Sequence, residues 1–249
     1  MAKKKENRYT SWQFQRKCFE QMFSEATGEF SKRYHPSLIA QKKIVRERFT
    51  SLFNLIFDKK CHSILDIGCG TGFYFKILKN YVQKIFATEI SELYLKKAVE
   101  LVREEKLENV YFNLSLSGQI PFKESSFDSV LVFAVFHHID DIEGSIDEIY
   151  RVLKPGGRCI VVEPNILNPA MFLFLSWKKH ERGILKLTRK KLQSKLKGKF
   201  NGVDYYPTTF QVTFTGYFSN FIINILDIFP ESIMNYLSIH YVLIAHKEE

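Results

Sequence analysis

Cysteine is scarce in this sequence: four occur in 249 residues, at Cys18, Cys61, Cys69 and Cys159. They are scattered, with neither the paired spacing of a structural metal site nor the density of a disulfide scaffold. A reducing cytoplasm is the predicted home, and no metal-ligand set is predicted. Long apolar runs are missing too. Uninterrupted apolar runs, such as Ala170 to Leu175, fall far short of the roughly 20 residues that a membrane-spanning helix needs. The first residues, MAKKKENRYT, carry the charge of an export signal's leading region without an apolar stretch behind it, so no export is predicted. No internal repeat or low-complexity segment occurs. With 45% hydrophobic residues, the chain is instead long enough for one large α/β domain with a full core and additions.

Acidic residues are nearly absent from one segment. Lys178 to Lys199 holds ten basic residues against a single acid, Glu181, and so accounts for the whole formal net charge of +9. Such a segment either recruits an anionic partner or is a solvated helix face. Its cations do not interleave with aromatics as a base-stacking platform requires, which disfavours nucleic acid. An apolar run, Met171 to Trp177, precedes it, and Phe218 to Leu237 is dense in Phe, Ile and Leu around Pro230. Apolar residues beside cations have the composition of a peripheral contact with an anionic membrane surface. The alternative is that they roof a binding site or pair in a dimer.

What is present is organised around Ser63 to Glu89, SILDIGCGTGFYFKILKNYVQKIFATE. It reads as a strand, a glycine turn, a helix and a second strand ending in an acid, an arrangement that prepares backbone N–H groups for a nucleotide-like ligand. Gly68 and Gly70 can take positive φ, and without a Cβ they let a ligand lie against bare backbone. Strands are predicted at Ser63 to Ile67, Ile85 to Thr88, Val110 to Leu114, Ser129 to Phe133 and Arg158 to Val162, with helices at Phe73 to Asn80, Glu92 to Glu105 (capped by Ser91) and Ile142 to Leu153. Strands alternating with helices imply right-handed βαβ crossovers and helices on both faces of a parallel sheet. Lys154-Pro155-Gly156-Gly157 is expected to end a helix and turn into the next strand. Further on come a helix from Thr188 to Leu196 stopped by Gly198, a β-prone stretch Val203 to Phe214, and a last strand Ile239 to Ala245. Before the domain, Trp12, Phe19, Phe23 and Ala26 recur at helical spacing up to Gly28, and Leu38, Val45, Phe49, Leu52, Phe53 and Ile56 follow His35-Pro36 on one face. The two helices are expected to cap the site or to cover a sheet edge. Residues 1–58 thus read as a helical cap and 59–249 as the domain, with an apolar and basic insertion at 165–237.

A dinucleotide turn reads G-x-G-x-x-G, its third glycine letting the helix pack close and face a pyrophosphate. Here the glycines run G-x-G-x-G, and Phe73 stands in place of that third glycine, which disfavours a nicotinamide dehydrogenase. LDIGCGTG (Leu65 to Gly72), Glu89, QIPFKESSFDSVL (Gln119 to Leu131), VFHHIDD (Val135 to Asp141) and RVLKPGGRCIVVEPN (Arg151 to Asn165) together resemble the class I S-adenosylmethionine-dependent methyltransferases, in their branch acting on small molecules and lipids. The resemblance covers roughly residues 60 to 165. It implies a doubly wound Rossmann-like sheet of seven strands, mostly parallel with an antiparallel last strand, and S-adenosylmethionine as cofactor. Under it, Asp66 organises the turn and meets the ligand's ammonium group, Gly68, Cys69, Gly70 and Gly72 supply the turn, and Glu89 accepts from the ribose hydroxyls. Ile90 and Phe133 line the ligand. Ser117 meets the adenine ring by its backbone, and Leu116 occupies a position where relatives often carry an aspartate. Ser115 or Gln119 are candidates for the contact that Leu116 lacks.

Methyl transfer asks a protein to align acceptor and methyl group and to exclude water. His137 and His138 follow the fourth strand and are candidates for acceptor contact or general base, with turn organisation as the alternative. The Asn/Asp-Pro-Pro-aromatic loop of amino methyltransferases is absent after the fourth strand, where the chain reads FAVFHH, and no thiol stands there for attack on a pyrimidine. The expected acceptor is a small or lipid-like molecule: a lipid, a quinone precursor or a lipid-linked sugar. A non-catalytic S-adenosylmethionine-binding partner protein is the alternative from another class.

Overall fold

The computed structural model describes residues 11–24, 42–116, 118–177, 179–210 and 229–249. Seven strands form one sheet: β1 (Cys61–Ile67), β2 (Val82–Glu89), β3 (Val110–Leu114), β4 (Phe127–Phe133), β5 (Leu153–Pro164), β6 (Gly202–Thr208) and β7 (His240–His246). Their order across the sheet is β3-β2-β1-β4-β5-β7-β6. The pairs among β1 to β5 are parallel, and β7 runs antiparallel to both of its neighbours. This is the doubly wound α/β sheet that the alternating pattern predicts.

Both faces of the central strands are apolar because helices cover both. Ile64 of β1, Ile160 and Val162 of β5 and Val242 and Ile244 of β7 share one core with α2 (Lys43–Ile56) and the short α3 (Phe75–Leu78). Leu65, Ile67, Val161, Leu243 and Ala245 point into the other core. There they meet Ile146, Ile149 and Val152 of α5 (Ile142–Val152) and Leu192 and Leu196 of α7 (Arg189–Lys197). α4 (Glu92–Glu104) carries the predicted cap, the Ser91 hydroxyl accepting from the Tyr94 N–H at 3.4 Å.

Two elements differ from the sequence reading. The helix expected over Phe73 to Asn80 is confined to Phe75–Leu78, because Phe73 and Tyr74 are held by other partners. The Phe73 ring meets Phe49 edge-on at 5.3 Å, and the Tyr74 hydroxyl donates to Asp66 at 2.6 Å. Lys154 to Gly157 is not a turn ahead of a strand but a bulge within one. β5 pairs Leu153 with Phe127, loops out, and resumes pairing at Arg158 with Ser129. Gly156 takes φ +69°, and a Cβ on Gly157 would meet the Lys154 carbonyl at 2.8 Å, so the bulge needs both glycines.

The apolar run beyond β5 is helix α6 (Pro169–Ser176), capped by Asn168, whose side-chain oxygen accepts from the N–H groups of Ala170 and Met171. Thr188 caps α7 and Gly198 ends it, as their positions predict. α1 (Trp12–Ser24) is the first described helix. α8 (Glu231–Leu237) leads into β7. The expectations for Ala26, Gly28, His35-Pro36 and Leu38, for Ser117, for the stretch after Phe210 and for Phe218 to Ile228 lie outside the described residues.

Candidate functional site

A cavity of about 520 Å³ opens at the carboxyl ends of the parallel strands. Ile67 of β1, Glu89 of β2, Phe133 of β4 and Pro164 of β5 contribute to its wall, and so does His240, where antiparallel β7 begins at the same edge. This is the edge where open α/β sheets hold their ligands. α1 supplies Trp12, Gln13 and Gln15, whereas α2 lies away from the wall and packs Phe49 beneath the glycine turn.

The turn is built differently from a phosphate cradle. Gly68, Gly70 and Gly72 all have positive φ. At Gly68 an added Cβ would come within 2.6 Å of Val135. The N–H groups of Gly68 and Cys69 both donate to the Thr88 carbonyl, at 2.8 and 3.0 Å, and that of Gly70 donates to Glu89 at 2.9 Å. With these donors used inside the protein, the turn offers a ligand Cα surface and carbonyl oxygen. That suits a cationic ligand better than a pyrophosphate.

Gly68, Cys69, Gly70, Glu89, Ile90, Leu116, Phe133, His137 and His138 all line the cavity. Asp66 and Gly72 do not. Gly72 is buried against Phe75, whose ring a Cβ would meet at 2.7 Å, so its role is packing. Asp66 is fully buried behind Tyr74. One of its oxygens accepts from Tyr74, and the other has no hydrogen-bond partner among the described residues. Burial pushes the Asp66 carboxyl up to about 7, against the Tyr74 hydrogen bond and with help from nearby Glu89. The Glu89 carboxyl is raised by burial while three N–H groups, of Ser91, Gly70 and Ile90, favour its charged form. The Ser115 hydroxyl, beside Leu116 on the wall, is buried without a partner among the described residues.

The histidines sit on a 3₁₀ turn, Phe136–His138, after β4. Ala134 adopts φ 55°, rare for a residue with a Cβ, and its N–H is fixed to the Val162 carbonyl at 2.7 Å. Glu163 of β5 is fully buried, accepts from the Phe136 N–H at 2.7 Å and lies 2.5 Å from His137 Nδ1. His137 Nε2 lies 2.9 Å from Glu181, on the 3₁₀ turn Lys179–Lys186. Burial works against charge on this ring, but the two carboxylates outweigh it and lift its pKa to about 10. His137 is thus an imidazolium clamped between acids, which makes it unfit as a general base. His138 lies farther from Glu181, at 3.7 Å.

His240 was not a sequence candidate. A backbone carbonyl can only accept, so His240 Nδ1, 2.7 Å from the Phe210 carbonyl, carries the ring proton. Burial, aided by the charge on His137, lowers its pKa to about 4. It is a neutral imidazole with Nε2 left as its acceptor nitrogen, and the residue lines the cavity. Glu163 and Glu181 were missed as well, though each left a trace: Glu163 is an acid closing an apolar strand, and Glu181 is the lone acid among ten cations.

Residues 65–161 match the family described as a methyltransferase domain. An uncharacterized methyltransferase, YcgJ of Bacillus subtilis, is 31% identical over 102 residues, 41% of this chain and 40% of that protein. The demethylmenaquinone methyltransferase of Lactococcus lactis is 36% identical over 104 residues, 41% of each chain. These matches span about two fifths of the curated relatives' length. The phosphoethanolamine N-methyltransferase 2 of Haemonchus contortus, solved with S-adenosyl-L-methionine, shares the fold with a TM-score of 0.69 at 19% identity, over 94% of this chain and 60% of that one. Residues 65–161 thus match a methyltransferase domain, and the sheet has the fold of the solved methyltransferase.

Proposed function

We propose that this chain transfers the methyl group of S-adenosylmethionine to a small-molecule or lipid-like acceptor of the quinol type. The observation that carries the reading is one continuous cavity. It runs from the glycine turn and Glu89 to an apolar roof made by Met171, Leu175 and Phe210. The named activity of the Lactococcus relative supports an aromatic, lipid-soluble acceptor.

The residues present fit the cofactor. It supplies a sulfonium methyl group, a carbon already activated for displacement. Glu89, with acceptor capacity beyond its three N–H bonds, would hold the ribose hydroxyls. The unpartnered Asp66 oxygen and the turn's carbonyls suit the ammonium group, Ile90 and Leu116 the adenine faces, and the Ser115 hydroxyl its polar edge. Phe133, at 5.5 Å from Tyr74 and 5.6 Å from Phe210, gives the cavity an apolar side wall along which donor and acceptor would meet. His240, a neutral imidazole on the cavity wall, would accept a hydrogen bond from the acceptor, while His137, pinned by Glu163 and Glu181, shapes the floor.

A release assay for S-adenosylhomocysteine across quinol, lipid and lipid-linked sugar acceptors tests the reading. Turnover with the quinol class is expected, with a loss of activity in His240→Ala from the missing acceptor contact. No turnover with any acceptor, together with tight S-adenosylhomocysteine binding, would favour the non-catalytic partner role instead.

We further propose that the chain reaches such an acceptor at an anionic membrane surface. On α6 the side chains of Phe172 and Leu173 are 46% and 61% exposed, and Trp177 beyond its end is 86% exposed, while Met171 and Leu175 of the same segment face the cavity. Exposed Lys186, Lys190 and Lys191 follow. No described helix is long and apolar enough to cross a membrane.

A further inference from the structure

We propose that His137 Nε2, His138 Nε2 and Glu181 form a site for a divalent first-row transition-metal ion, open to the cavity. Three potential ligand atoms, one from each residue, lie within 4.8 Å of one another. They come from two separate elements, the 3₁₀ turn after β4 and the 3₁₀ turn Lys179–Lys186. Cysteine spacing could not have predicted them, because fold and not sequence distance brings them together.

The geometry suits an ion that takes the place of the proton between His137 Nε2 and Glu181, leaving His137 a neutral imidazole with its remaining proton on Nδ1 toward Glu163. Ligands about 2.0–2.2 Å from a metal and at right angles are about 3 Å apart, and His137 Nε2 lies 2.9 Å from the Glu181 carboxylate. His138 Nε2 stands 3.7 Å from the same oxygen, the span of a wider ligand angle. Behind the site, fully buried Glu163 holds His137 Nδ1 at 2.5 Å and is itself fixed by the Phe136 N–H. A carboxylate on the far nitrogen orients a ligating imidazole and aims Nε2 forward. Two imidazoles and one carboxylate suit zinc, cobalt, nickel, iron or manganese rather than magnesium or calcium.

All three residues line the cavity, so the remaining coordination positions face the space assigned above to the acceptor. Resting on that assignment, the ion would take a phenolate or enolate oxygen of the acceptor. Ion binding itself needs neither donor nor acceptor.

Full-length chain, stripped with chelator, is titrated with Co²⁺ by visible absorption and with Zn²⁺ by calorimetry. One ion per chain is expected, with Glu181→Gln and His138→Ala each weakening binding at least tenfold and Glu163→Gln weakening it 10- to 100-fold. His246→Ala, a histidine paired with Asp204 away from the cavity, should leave affinity unchanged. Binding that is not saturable at one ion, or that survives both Glu181→Gln and His138→Ala, overturns the site. If Glu163→Gln does not fold, those two variants decide alone. S-adenosylhomocysteine binding, measured on each variant, separates failure of the metal site from failure of the methyltransferase reading.

Discussion

At Gly68 two constraints coincide: φ is +70°, and a Cβ would lie 2.6 Å from Val135. Gly68→Ala should therefore weaken S-adenosylhomocysteine binding at least tenfold and lower the melting temperature. Adding Val135→Ala should restore only part of the loss, because it relieves the collision and not the left-handed backbone, which costs roughly 1–2 kcal/mol. Calorimetry on the single and double variants checks this. Asp66 has the opposite character, a side chain the fold disfavours in its charged form. Its folded pKa of about 7 lies above the ordinary 3.8, so the folded chain holds this proton more tightly than the unfolded one. Stability therefore falls as pH rises from about 4 to about 7. Asp66→Asn keeps an acceptor for Tyr74 and removes the charge. It should flatten that slope and raise stability at pH 8 by on the order of a few kcal/mol, read from melting curves between pH 4.5 and 8 without ligand.

Elements were legible wherever one local signal decided them. Ser91, Thr188 and Gly198 mark helix ends by their chemistry, and the structure uses all three. The glycine turn and its acid were legible too, since spacing places Glu89 beside Gly70. What sequence could not supply is where an N–H points. The turn reads as a donor cradle, yet its N–H groups close on Thr88 and Glu89. Nor could it show that Glu181, 44 positions from His137, lands on that ring, because only the path of the chain from β5 through α6 brings it there. Sequence could not show which cations of the basic segment meet neighbouring side chains. Arg189 stacks over Tyr205 at 4.0 Å, Lys199 pairs with Asp147 at 2.8 Å, and Lys195 pairs with Glu143. These contacts tie α7 and the residues just after it to α5 and β6. Leu173→Glu combined with Trp177→Ala on α6 should at least halve binding to anionic vesicles in a flotation assay. Its melting temperature should stay the same, since both side chains are exposed.

Across the whole molecule, the order β3-β2-β1-β4-β5-β7-β6 puts the switch in winding direction between β1 and β4. The glycine turn leaves from one of these strands and the histidine turn from the other. The two ends of the cavity are therefore consequences of topology, each hung from an adjacent central strand. A ligand seated there binds only the folded chain and must stabilise it. S-adenosylhomocysteine at a hundred times its dissociation constant should add about 2.7 kcal/mol, or roughly 5–10 °C in melting temperature for a chain of this size. Nicotinamide dinucleotide at the same concentration should leave the melt unmoved; a dinucleotide-induced shift of that size would revive the dehydrogenase reading.

Glu181 also limits how freely parts of this fold can be exchanged. Residues 165–210 include much of the apolar roof, and the same stretch carries the acid that faces His137. A chimera given another protein's roof inherits a new acceptor pocket and, unless an acid returns at this position, an imidazole with only Glu163 to hold it. Substrate range and the protonation of the site are thus transplanted together, as a single cassette.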